Sequence, residues 1–139
     1  MPNILDVRTL DAELRAILKE HAVTKATLEI VPSVQEWAQA QGRPEANPFR
    51  QATSFPDIGL VVMVETLTEK MARASTSIMN IGPVAHEALA LNLRNYARFL
   101  LFHEIAHLRG MLEEKPADEW AMARLNEYLA KLGEPPVES

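Results

Sequence analysis

Between Phe99 and Leu108 the chain reads FLLFHEIAHL, and the only polar side chains in that window are His103, Glu104 and His107. No Pro or Gly interrupts the run from Ala85 to Arg109, and Gly110 is a natural stop, so the pattern predicts a helix over residues 85–109. A helix that is apolar on every side belongs in a core. The other elements must therefore wrap it. The same burial puts three ionisable groups where water is excluded, and polar groups left unpaired there are costly. His103, Glu104 and His107 must be hydrogen-bonded to one another or their neighbours, or bound to a metal.

Elements able to cover this helix lie on both sides of it. Leu10, Leu14, Ile17 and Leu18 recur at helical spacing within residues 8–21. Residues 26–31 (ATLEIV) are β-branched and roughly alternating, and Pro32 stops them. A short piece around Glu36 to Gln39 precedes a stretch from Gly42 to Pro56 that holds Gly42, Pro44, Pro48 and Pro56 and reads as a surface loop. Ile58 to Glu65 (IGLVVMVE) is the best strand in the sequence. A second loop is expected over residues 74–84. Lys115-Pro116-Ala117 opens a last helix to about Leu132, Gly133 ends it, and residues 133–139 read as a flexible tail. Helices and strands in this order predict a single α+β domain over residues 1–139: a small sheet packed on the buried helix and on the C-terminal helix that follows it.

Composition narrows the function. At 139 residues the chain has enough length for one real core, and 47 % hydrophobic against 24 % charged residues is globular composition rather than disorder. With no Cys, disulfides and thiolate metal ligands are excluded. A net charge of -5 without any dense Lys/Arg run argues against nucleic-acid binding, which depends on clustered cations. No apolar run spans a bilayer, and the N-terminal MPNILDVRTLDAELR lacks a basic patch leading into an apolar stretch. The expectation is a cytoplasmic protein with no membrane partner. No Gly-rich phosphate loop, GxSxG elbow or CxxC is present, and Glu104-Ile-Ala-His107 is the only Glu-x-x-His pair, so a di-iron bundle is excluded too.

His103-Glu104-Ile105-Ala106-His107 is an HExxH pattern. Residues four apart share a helix face, so the two imidazoles can converge on one zinc ion, while Glu104 projects beside them toward a metal-activated water as general base. A catalytic zinc needs a third protein ligand, and three acids are candidates. Glu113 stands where a HExxHxxGxxH pattern puts its last ligand; Asp118 and Glu119 lie in the first turn of the last helix. At 100° per residue Asp118 falls in the middle of that helix's apolar face, while Glu119 turns to the polar side. Asp118 is the favoured third ligand, with Glu119 and Glu113 as alternatives. Tyr128, Arg109 and His86 are unranked candidates to stabilise an oxyanion, although Tyr128 lies on a core face and Arg109 suits a helix end. Tyr96 reads as core.

On these residues the chain resembles the zincin metallopeptidases, most closely the small ImmA/IrrE-like type. The matching pieces are Leu93-Arg94 through Leu100-Leu101-Phe102, then His103 to His107, then Asp118-Glu119-Trp120-Ala121, within residues 93–132. Asp118 stands where that type carries Glu, and the gap from His107 is short. A metzincin fits less well, since Glu113 replaces His and no Met-turn is present. The resemblance implies a minimal zincin-like domain and a zinc-dependent hydrolase acting on peptide bonds. It also implies a cleft lined by an edge strand that binds an extended peptide, for which Ile58 to Glu65 is the candidate unless that run is a central strand. The implied partners are a peptide or protein substrate, with room for a regulatory protein. The competing reading is a non-catalytic zincin-like regulatory or binding module with a structural metal, which a fourth ligand such as Glu119 or Glu113 would favour.

Overall fold

In the computed structural model, which describes residues 3–43, 45 and 47–138, the buried helix is the spine of the molecule. It runs from Leu93 to Leu108 (α5), and thirteen of its sixteen residues are buried. The helical run expected from residue 85 is two helices rather than one. α4 (Gly82–Leu91) ends at Asn92, whose φ of -127° and ψ of 88° leave the helical region, and the Asn92 side chain then caps α5 by accepting from the Asn95 N–H. An Asx side chain that satisfies an orphan N–H can start a new helix where apolar periodicity alone shows no break.

Around α5 the remaining elements fall into two small sheets and four more helices. β1 (Ile4–Asp6) leads through a 3-10 turn (Val7–Leu10) into α1 (Asp11–His21), whose Leu14, Ile17 and Leu18 face the core. β2 (Thr27–Val31) and α2 (Val34–Ala40) follow, with Ser33 capping α2 through the Glu36 N–H. β3 (Ala52–Phe55) and β4 (Leu60–Val64) come next, then β5 (Thr66–Thr68), which pairs antiparallel with β1. α3 (Glu69–Thr76) occupies the start of the segment expected as a loop over residues 74–84, and α6 (Glu114–Leu132) closes the chain. The class is α+β, as the order of elements predicts. Among the described residues no helix is long and apolar enough to cross a membrane.

The three-stranded sheet has the order β2-β4-β3. β4 is parallel to β2 and antiparallel to β3, with Ala52 opposite Met63 and Phe55 opposite Leu60. This decides one open alternative and corrects one expectation. The strand within Ile58 to Glu65 is the central one, as its continuous apolar character allows on both faces. The edge strand beside α5 is β3, inside the stretch 42–56 expected as loop; Pro44 and Ala46 of that stretch lie outside the described residues. Gly59 makes the tight entry to β4 with φ +60°, and a Cβ there would stand 2.5 Å from the Lys25 carbonyl oxygen.

The C-terminal tail is held rather than frayed. Asn126 accepts from the Val137 N–H at 2.7 Å and donates to its carbonyl at 3.0 Å, and Val137 is buried. Ser139 lies outside the described residues. One side-chain amide thus pairs with a peptide unit as a neighbouring strand would.

Candidate metal centre

α5 packs antiparallel against α6 through the turn at Gly110, and this brings the last turn of one helix to the first turn of the other. The turn is tight because Gly110 adopts φ +98° and the Met111 N–H reaches back to the Ala106 carbonyl at 3.0 Å. His103 and His107 share the facing side of α5, with their Nε2 atoms 3.0 Å apart. Glu114, the first residue of α6, lays its carboxylate across both: Oε2 is 3.0 Å from His103 Nε2 and Oε1 is 3.3 Å from His107 Nε2.

The remaining ring nitrogens are taken up elsewhere. His107 Nδ1 donates to the Met111 carbonyl at 2.7 Å. His103 Nδ1 stands 2.8 Å from Asp118 Oδ1, and neither buried atom has another partner. Asp118 Oδ2 accepts from the Asn80 backbone N–H at 2.9 Å and from Asn80 Nδ2 at 3.1 Å. Burial raises the Asp118 carboxyl, but the His103 contact and the two Asn80 donors outweigh it and hold the group below its ordinary value. An ionised Asp118 and a carbonyl on His107 assign the proton to Nδ1 on both rings. That leaves two Nε2 lone pairs pointing at each other, with a carboxylate beside them. Such an arrangement repels unless a proton or a cation lies within it.

A proton on His103 would serve. Burial works against a charged His103, yet Asp118, Glu104 and Glu114 together raise it above its ordinary value. The donor set suits a cation better. Ligand atoms around a tetrahedral zinc with bonds of about 2.0–2.1 Å stand about 3.3 Å apart; here the two Nε2 atoms are 3.0 Å apart, one Glu114 oxygen is 3.0 Å from His103 and the other 3.3 Å from His107. His103, His107 and Glu114 are the one group of three or more His, Asp or Glu among the described residues able to close on an ion. The second carboxylate on His103 is the usual outer partner of a metal-bound imidazole.

Asp118 therefore faces the site, as its helical position predicts, but on the Nδ1 side of His103, while the acid grouped with the two imidazoles where an ion could be held is Glu114. Glu113 and Glu119 are both exposed and outside the cluster. Glu104 is buried at the floor of a cleft of about 550 Å³ that opens between β3 and the segment from Ala74 to Met79, with His103, His107 and Glu114 on the same floor. Burial pushes its carboxyl above the ordinary range, against the lowering pull of His103 and His107 and of a hydrogen bond from Ser54 on β3.

None of the expected oxyanion partners lines this cleft. Tyr128 donates to Glu13 at 2.7 Å, Arg109 donates to the His21 carbonyl at 2.9 Å and lies over Trp120, and His86 is bonded to Thr76. Tyr96 is fully buried, as expected of core, and donates to Gln51, whose residue lines the cleft beside Arg50. Asn80, Arg50 and Gln51 carry no sequence signal of their own, because the strand and loop that deliver them are fixed by tertiary pairing. No family model, curated protein or solved structure matches the chain.

Proposed function

We propose that the chain is a zinc-dependent hydrolase of peptide bonds on a zincin-like α+β fold. The observation that carries this reading is the pair of inward-facing Nε2 atoms at 3.0 Å, both rings tied at Nδ1, with one oxygen of Glu114 against each. Two imidazoles and one carboxylate are a donor set that suits zinc. Three protein donors beside an open cleft fit a catalytic site better than a structural one, which four protein ligands usually close. Bound there, zinc would supply a Lewis acid that acidifies water and polarises a carbonyl.

The chain's own residues do the rest. Glu104, with its pKa raised by burial, takes a proton from the attacking water and passes it to the leaving amine. Asp118 holds His103 in the tautomer that keeps Nε2 free, and Met111 does the same for His107. Among the described residues Arg50 is the one Lys or Arg lining the cleft and the candidate to meet developing negative charge.

The sheet edges support a peptide substrate. The Val64 N–H bonds the Gln51 carbonyl, so antiparallel alternation turns the N–H and C=O groups of Ala52 and Ser54 to the free edge of β3, at the cleft. The opposite edge is stoppered: Arg15 and Arg8 donate to the Leu28 and Ile30 carbonyls of β2 at 2.7 and 2.9 Å. An extended peptide can add to β3 and not to β2.

The test is metal content with turnover. Wild type and Glu104→Gln should each hold about one zinc per chain, His103→Ala should hold none, and Glu104→Gln should lose about 10²–10⁴-fold in hydrolysis. Undiminished turnover in Glu104→Gln, or a wild type that takes up no zinc on reconstitution, would overturn the reading.

A further inference from the structure

We infer that the cleft selects extended peptide segments that carry bulky apolar side chains, and no acidic ones, beside the bond to be cut; this rests on the hydrolase reading above. Among the described residues the three most exposed large apolar side chains are Ile78 (85 %), Leu112 (82 %) and Phe49 (80 %). Two of them line the candidate metal cleft, and the third is two residues from Glu114. The two are Phe49 and Ile78, and Leu112 sits in the turn between Met111, whose carbonyl holds His107, and Glu114. Apolar residues scattered singly on a surface are ordinary, whereas a cluster at the mouth of a polar site marks where a partner is received.

The occupant is an extended peptide because main chain is what β3 offers. Its free edge presents the N–H and C=O groups of Ala52 and Ser54 along the same cleft that Phe49 and Ile78 rim. Charge decides what the peptide must lack. Among the described residues the lining carries the carboxylates of Glu104, Glu114 and Asp118 and one guanidinium, Arg50, so the charge of a bound zinc and of Arg50 is already balanced. An Asp or Glu near the cut finds no net positive charge to offset its desolvation. The apolar wall is also fastened to the site, since Asn80, two residues after Ile78, holds the carboxylate that contacts His103.

The test measures binding and cleavage separately. Zinc-loaded Glu104→Gln chain is titrated by fluorescence anisotropy with labelled, Ala-rich octapeptides whose central pair is Phe-Leu, Ser-Ser or Asp-Asp. Burying one large side chain is worth about tenfold or more, so Phe-Leu should bind at least about tenfold tighter than Ser-Ser, with Asp-Asp weakest. Phe49→Ser and Ile78→Ser, both at exposed positions, should each erode that preference severalfold while zinc content and melting temperature stay unchanged. Equal binding of Phe-Leu and Ser-Ser, no binding of any peptide, or a preference that survives both substitutions would overturn the inference. Wild-type zinc enzyme that cuts all three peptides alike overturns the inference and spares the hydrolase reading. The apolar preference in binding with no cleavage supports the surface and sinks the hydrolase instead.

Discussion

Removing the Glu114 carboxylate should cost more zinc affinity than neutralising Asp118, although the helical wheel favours Asp118. The geometry assigns them different atoms: Glu114 approaches both Nε2 atoms at 3.0 and 3.3 Å, and Asp118 approaches only Nδ1 of His103 at 2.8 Å. Four-ligand zinc sites bind with about 10–16 kcal/mol, so one ligand accounts for about 2.5–4 kcal/mol, or roughly 70- to 900-fold in affinity. Glu114→Ala should weaken binding by that amount and, because its side chain is 68 % exposed, leave the fold intact. Asp118→Asn should cost about 10- to 100-fold, the usual effect of an outer partner. With its amide oxygen kept by the Asn80 donors, its NH2 faces Nδ1 and favours the tautomer that protonates Nε2, the atom the metal needs. Competition titration against a chromophoric zinc chelator, with melting curves to confirm folding, separates the two. A folded Asp118→Asn that loses more zinc than Glu114→Ala, or a Glu114→Ala that binds like wild type, would refute the assignment.

Protonation should be linked to metal binding. His103 is raised above its ordinary 6.5 in the metal-free chain, so zinc uptake below that pH should release about one proton, read by calorimetry in buffers of different ionisation enthalpy; no buffer dependence would refute a proton held between the two Nε2 atoms. The raised value also means that the His103 contribution to metal-free stability is full below 6.5 and is lost as pH rises through the folded-state value. Asp118, lowered from 3.8, acts in the other direction, contributing above 3.8 and losing that contribution as pH falls through its folded-state value. The metal-free melting temperature should therefore decline from mildly acid toward alkaline pH, and Asp118→Asn should flatten that decline. Gly59→Ala should destabilise by at least about 2 kcal/mol in urea titration, since a left-handed φ costs about 1–2 kcal/mol before the clash with Lys25; a loss under about 0.5 kcal/mol would contradict it. Asn126→Ala removes both bonds to Val137 and should free the tail to proteolysis, at a cost of about 1–3 kcal/mol. Unchanged cleavage kinetics would show that the tail is held by other contacts.

What the sequence made legible follows from where the physics is local. The core helix and the strand from Leu60 to Val64 announce themselves because burial on every side demands an unbroken apolar run. β3 does not, because Ala52-Thr-Ser-Phe55 has little strand character of its own, lies among prolines, and becomes a strand only through its register with β4. The break at Asn92 and the docking of Val137 are each decided by a single Asn side chain, which no hydrophobic period reports.

The place of Glu114 beside the two histidines is also legible in the sequence. His103 and His107 are four apart on one helix, and Glu114 and Asp118 are four apart on the next. Each pair therefore shares a face. Fold the two helices antiparallel about Gly110 and His107 must come opposite Glu114, with His103 opposite Asp118. The contacts follow that pairing, with Asp118 at His103 and Glu114 reaching both rings. Starting the last helix at Lys115 instead of Glu114 took the outer carboxylate off the wheel, and the wheel then offered Asp118 alone. Side-chain length settles the division of labour. Asp118, buried one turn deeper, ends at the near nitrogen of His103, while the longer Glu114 at the exposed end reaches round to the far one, where an ion would sit. A pair of acids at the same spacing as a pair of histidines, across a glycine turn, is thus a sequence pattern that gives both the proposed ligand and the carboxylate proposed to orient its neighbour.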